Sequence, residues 1–115
     1  MANKVVIHIF HDDPDSLSTG SHVAERIRQV KKERGVDLEV YLFGPAERAL
    51  EGEGNDAYRE TIHGLVDAGV PVHTCIDIAN AMGKAEDFTA KGLNLEYARE
   101  AFMRYALEGA TVISF

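Results

Sequence analysis

Lys4-Val5-Val6-Ile7-His8-Ile9-Phe10 is almost continuously apolar and rich in β-branched residues. A strand wetted on one side alternates apolar and polar residues. An unbroken apolar run instead suits a strand covered on both faces, the habit of parallel sheets. Such a sheet needs helical crossovers, and the chain offers them on the way out from this segment. His11 to Ser21 is dense in turn formers and N-cap residues and reads as a loop. A helix follows to about Arg34, with Val23, Ile27 and Val30 as its buried stripe and Gly35 just past its end.

Asp37 to Phe43 predicts the second strand, ended by Gly44-Pro45, with a short helix from Ala46 to Leu50. After a polar connection, Tyr58 to Ala68 predicts a helix with Ile62, Leu65 and Val66 inward, stopped by Gly69. Val70 to Thr74 is the third strand, and Ile76 to Gly83 a short helix. Lys84 to Gly92 is a polar stretch. Asn94 is placed to cap a helix through Glu108 that carries Leu95, Ala98, Phe102, Tyr105 and Ala106 inward. Thr111 to Phe115 is a last strand. The expected architecture is a three-layer α/β/α sandwich around a mainly parallel sheet of four to five strands. No repeat, low-complexity tract or long linker divides the chain, so residues 1–115 read as one domain.

Composition narrows the function classes. Twelve Lys and Arg against 19 Asp and Glu give a net charge of −7, which disfavours nucleic acid or an anionic membrane as partner. The densest basic cluster, from Arg26 to Arg34, is interrupted by Glu33 and preceded by Glu25, as on a solvated helix face. No apolar stretch approaches the ~20 residues needed to span a bilayer. The opening Met1-Ala2-Asn3-Lys4 leads into the first strand without the apolar region of a signal peptide. With one unpaired cysteine, a cytoplasmic location is expected.

That cysteine, Cys75, is the residue most able to carry chemistry. It stands where the third strand hands over to a helix, and in an α/β sheet ligands and reactive groups collect at that edge. The carboxyl end of the first strand opens onto the same edge, so His11 and Asp12 are expected near it, with Gly44 if the second strand is adjacent. Thr74-Cys75-Ile76-Asp77 fits a capping-box-like pattern, with Thr74 as N-cap and Asp77 at N3. This places the thiol in a first turn, where free N–H groups favour a thiolate. His73, two residues back, is placed to pair with the thiolate, while Asp77, Asp12 and Asp13 oppose its ionisation. The other reading is packing, since free cysteine is among the most buried residue types.

Other chemistries fit less well. Ser18-Thr19-Gly20-Ser21 lacks the lysine and spacing of a phosphate loop. His8, His11 and His73 with Cys75 make a weak zinc set, because His8 lies mid-strand and no second cysteine is present. No metal or other cofactor is expected. A Cys–His–Asp hydrolase lacks a recognisable oxyanion loop.

The run Gly69-Val70-x-x-x-x-Cys75-x-x-x-Ala79-x-x-x-Gly83 resembles the cysteine block of the DsrE/TusD type of sulfur-relay proteins. The opening strand, the Asp-rich segment after it and Val40-Tyr41-Leu42-Phe43-Gly44 are similar to the wider DsrE/F/H-like (YchN-like) group. The resemblance implies a three-layer α/β/α domain assembled as a dimer, trimer or hexamer. It implies that Cys75 accepts sulfane sulfur as a persulfide and passes it on, with no cofactor. Its partners would be sulfur donor and acceptor proteins or small persulfides. The chain departs from many relatives in its polar Lys84–Gly92 segment and its acidic first loop. Two further readings stand beside this one: a non-catalytic oligomeric binding module with a structural cysteine, and a thiol redox sensor. Tyr97, Phe102, Met103 and Tyr105 on the last helix are more aromatic and apolar surface than one sheet face readily hides, which also points to self-association.

Overall fold

The computed structural model describes residues 3–115; the reading of Met1-Ala2 as free of a signal peptide lies outside the described residues. In chain order the elements are β1 (Lys4–Ile9), α1 (Pro14–Arg34), β2 (Asp37–Leu42), α2 (Pro45–Arg48), α3 (Asp56–Asp67), β3 (Val72–Thr74), α4 (Ile76–Met82), α5 (Ala85–Ala90), β4 (Asn94–Leu95), α6 (Ala98–Glu108) and β5 (Thr111–Ser114). The five strands form one sheet in the order β4-β3-β2-β1-β5, every pairing parallel. The expected α/β architecture is therefore the observed one.

Alternation along each strand sorts its side chains between two helical layers. Ile7, Ile9, Leu38, Val40, Leu42 and Val72 join one core with Leu17 and Ala24 of α1, Ile62 and Leu65 of α3, Ala79 of α4 and Phe88 of α5. Val6 and Tyr41 turn the other way, into a smaller core with Cys75 and with Ala101 and Tyr105 of α6. In register, His8 stands beside Tyr41, and Tyr41 beside His73. The polar and aromatic residues of the central strands thus share the α6 face.

Three elements differ from the sequence reading. α1 begins at Pro14 rather than after Ser21, because Asp13 caps it: its carboxylate accepts the Ser16 N–H at 3.0 Å and the Ser16 hydroxyl at 2.7 Å. Its buried face is Leu17, Gly20, Ser21 and Ala24, and Val30 of the expected stripe is exposed. Lys84 to Gly92 contains helix α5, anchored by the buried Phe88. Asn94 and Leu95 form β4 on the sheet edge instead of starting the last helix, and Ala106 points outward. Among the described residues no helix is long and apolar enough to cross a membrane.

Candidate functional site

The carboxyl edge of the sheet collects the ends of β1, β2 and β3, and the chain there is tightly constrained. Gly44 turns β2 into α2 with φ 65° and ψ −131°, a conformation few side-chain-bearing residues adopt. A Cβ on it would also sit 2.6 Å from Phe10 Cε1. This turn sets Glu47 inside the protein, fully buried on the four-residue helix α2.

Glu47 meets the end of β3. Its Oε1 accepts the backbone N–H of Cys75 at 3.1 Å, while its Oε2 is buried without a hydrogen-bond partner. Burial pushes the carboxyl up to about 8, against the opposing pull of the Cys75 amide, Arg48 and Thr74. The Thr74 hydroxyl, also fully buried, faces the same carboxyl without closing a well-aligned hydrogen bond.

Cys75 itself is the N-cap of α4, with φ −74° and ψ 127°, and is only 4% exposed. This corrects the expected capping box. Thr74 lies inside β3, no side chain caps α4, and Asp77 is an exposed residue of its first turn. Cys75 shares its small core with Val6, Tyr41, Ala101 and Tyr105, and Phe43, Ile78, Ala98 and Phe102 pack against that core. The Tyr41 hydroxyl donates to the Glu96 carbonyl at 2.8 Å and lies beside the thiol. Burial, with the Cys75 and Glu47 charges, holds the Tyr41 proton on well above the ordinary phenol range.

His73 does not pair with the thiol. Its Nε2 lies 3.5 Å from Glu39 and its Nδ1 3.2 Å from Glu96. Burial holds the imidazole below its ordinary value despite those carboxylates, so it is neutral at pH 7. Glu39, buried in β2, is the hub of this second cluster. It bonds Lys4 at 2.7 Å, accepts both Arg104 Nη atoms at 3.1 and 2.7 Å, and accepts the Tyr105 hydroxyl. Arg104 also holds Glu96 and Glu108. Burial alone would raise the Glu39 carboxyl, but these donors hold it down at about 2. Glu39, His73 and Glu96 offer three ligand atoms within 4.8 Å of one another. A cation there would have to displace Arg104 from both carboxylates, so the arrangement is a closed ion-pair network.

His11 and Asp12 are exposed at the end of β1. His11 stacks edge-on against Phe10, with ring centroids 5.2 Å apart, and Phe10 lies against Phe43. Phe10 thus links His11 to Phe43 at the rim of the cysteine's core, and among the described residues neither His11 nor Asp12 bonds Cys75. His8, the mid-strand histidine, packs edge-on against Phe102 at 5.1 Å, and its Nδ1 meets the Ser114 hydroxyl at 3.0 Å. Glu47, Tyr41, Glu39 and Arg104 escaped the sequence reading. Glu47 carried one signal, an acid placed among alanines just after Gly44-Pro45. Glu39 carried another, a charge inside a strand pattern.

No protein-family model and no curated protein matches the chain. Solved structures do. Its fold is similar to that of the ychN protein from E. coli. That match has a TM-score of 0.70 at 21% identity and covers 100% of both chains. MTH1491 from Methanobacterium thermoautotrophicum, a protein of unknown function, matches with a TM-score of 0.74 at 22% identity over 98% of this chain and 99% of that one. BT1422 from Bacteroides thetaiotaomicron, also of unknown function, gives 0.75 at 17% identity over 98% and 95%. The shared feature is the fold, end to end.

Proposed function

We propose that this protein is a DsrE-like carrier of sulfane sulfur, with Cys75 as the residue that takes up the sulfur and hands it on. The observation that carries the reading is the position of the chain's sole thiol. It stands at the carboxyl edge of a parallel sheet, at the start of α4, in a fold similar to that of YchN. A chain with one cysteine has no internal disulfide to compete with a persulfide. The thiol belongs to the small apolar core between the sheet and α6.

The chemistry needs only thiol exchange. The Cys75 thiolate attacks the outer sulfur of a donor persulfide, R–S–SH. A bond forms from Sγ to that sulfur as the donor's S–S bond breaks. The donor leaves as its thiolate and Cys75 becomes the persulfide. An acceptor thiolate then attacks the outer sulfur, and the Cys75 thiolate leaves. Each transfer moves one sulfur with no net oxidation, so no oxidant is consumed. Donor and acceptor are thiol-bearing proteins or small persulfides.

The 4% exposure of Cys75 favours one competitor, a binding module in which the cysteine only packs. Intact-mass spectrometry separates the two. After incubation with a small persulfide donor, native protein should gain about 32 Da, reversibly with reductant, and Cys75→Ser should gain nothing. A thiol that stays unmodified until the protein is denatured would leave the binding module as the better reading.

A further inference from the structure

We propose that Glu47 is the positioning residue of Cys75, a buried latch whose carboxyl holds the β3–α4 junction shut and meets water only when that junction opens to let the thiol reach a partner. The inference rests on the sulfur-carrier reading only for the purpose of the opening. Its geometry stands alone.

A fully buried acid stands at the site, and it is half-satisfied. Glu47 is 0% exposed, and only its Oε1 is occupied, by the Cys75 amide at 3.1 Å. Oε2 has no partner, nor has the neighbouring Thr74 hydroxyl. Buried polar groups are nearly always paired, so an orphaned carboxyl oxygen beside the one thiol marks a place that is not optimised for staying closed. Cys75 is 4% exposed, so any reaction with a protein or small molecule requires the junction to move. The bond that ties Cys75's own backbone to α2 is the Glu47 bond.

Four groups besides Cys75 face or flank this carboxyl. Arg48 follows it on α2, and Thr74 approaches from β3. Tyr41 reaches it from β2 and Tyr58 from α3, the Tyr58 hydroxyl donating to the Ala46 carbonyl at 2.8 Å. Burial, with Glu47 nearby, keeps the protons of both tyrosines on beyond their ordinary range. Of Glu47 and the two tyrosines, Glu47 is the one that changes charge as pH passes through neutrality.

The sign follows from linkage. In the closed state the carboxyl is pushed up to about 8, and once opened to water it returns to its ordinary 4.5. Between those values opening releases a proton. Opening therefore becomes tenfold more frequent per pH unit, and it levels off above about 8.

Two measurements on the full chain test this. Alkylation of folded protein by iodoacetamide requires an open junction and a thiolate. Below pH 8 the logarithm of its rate should rise with a slope of about two in the wild type and about one in Glu47→Gln, which keeps an oxygen for the Cys75 amide but cannot titrate. The second needs no variant. Hydrogen exchange of the Cys75 amide should show a slope of about two rather than the one expected from hydroxide alone. A slope of one in the wild type in either measurement, an unchanged slope in Glu47→Gln, or a thiol alkylated only on global unfolding overturns the proposal. The carrier reading fails separately: a steep profile with no sulfur gained from a persulfide donor keeps the latch and removes the cargo.

Discussion

Glu39 and Glu47 are two buried carboxylates with opposite environments, and they give the protein opposite responses to pH. Glu39 is met by Arg104, Lys4 and Tyr105 and lies depressed at about 2. A depressed carboxylate contributes stability that is fully present above its unfolded value of 4.5 and is lost as pH falls toward 2. His73, held low by burial, adds to the acid loss, because the unfolded chain takes up its proton below about 6.5 first. Removing the hub should therefore be costly at neutral pH. Glu39→Gln removes the carboxylate that Arg104 and Lys4 share, leaving them Glu96 and Glu108, and should cost about 2 kcal/mol at pH 7, while flattening the decline in acid. Urea midpoints measured from pH 3 to pH 7 check both. Equal acid slopes in the two proteins would mean that the network is not the acid sensor. The sequence showed that the cysteine block lay at a sheet edge, but not what surrounds it. A strand Glu that faces a helix Arg 65 residues away has no local signature. Spacing alone places His73 beside the thiol, whereas in space two carboxylates, Glu39 and Glu96, are its neighbours.

At the scale of elements, the parallel strands were legible because their apolar runs have no alternative use. The helices were less so. The first turns of α1 contain Asp13-Pro14-Asp15-Ser16, residues that turns also favour, so they read as a loop until Leu17 is seen buried. Small residues there serve packing. A Cβ on Gly20 would stand 2.9 Å from Ile9 Cδ1, so glycine lets α1 close on β1. Ser21 returns its hydroxyl to the Leu17 carbonyl at 2.7 Å and needs no other partner. α5 was missed because six residues with one deep anchor, Phe88, have no periodicity to detect. The Asp13 cap can be tested directly. Asp13→Ala removes both bonds to Ser16 and should lower the denaturation midpoint, whereas Asp13→Asn should lower it much less. Chemical denaturation of the three proteins gives the comparison. If alanine costs nothing, the first turns of α1 are held by packing instead.

At the scale of the whole molecule, the apolar surface is unevenly distributed. Among the described residues six large hydrophobic residues are left exposed, and five of them lie between positions 97 and 113: Tyr97, Met103, Leu107, Val112 and Ile113. Of the residues expected to drive association, Tyr105 is buried and Phe102 half-buried, so only Tyr97 and Met103 remain available. β5 adds a different feature. Among the described residues it pairs with β1 on one side only, and all four of its residues are exposed. An open edge with apolar side chains is a template for a strand from another copy, and proteins that stay monomeric usually blunt such edges with charge or proline. Self-association through β5 is the expected consequence. The net charge of −7 sets copies against one another, so the assembly should strengthen as salt rises past about 0.1 M and screens that repulsion. Sedimentation equilibrium should find a species heavier than the 12.6 kDa chain, and Ile113→Lys should return it to that mass without changing the fold. A 12.6 kDa species at every salt concentration would mean that the β5 edge stays open in solution, and that the site at Cys75 is complete within one chain.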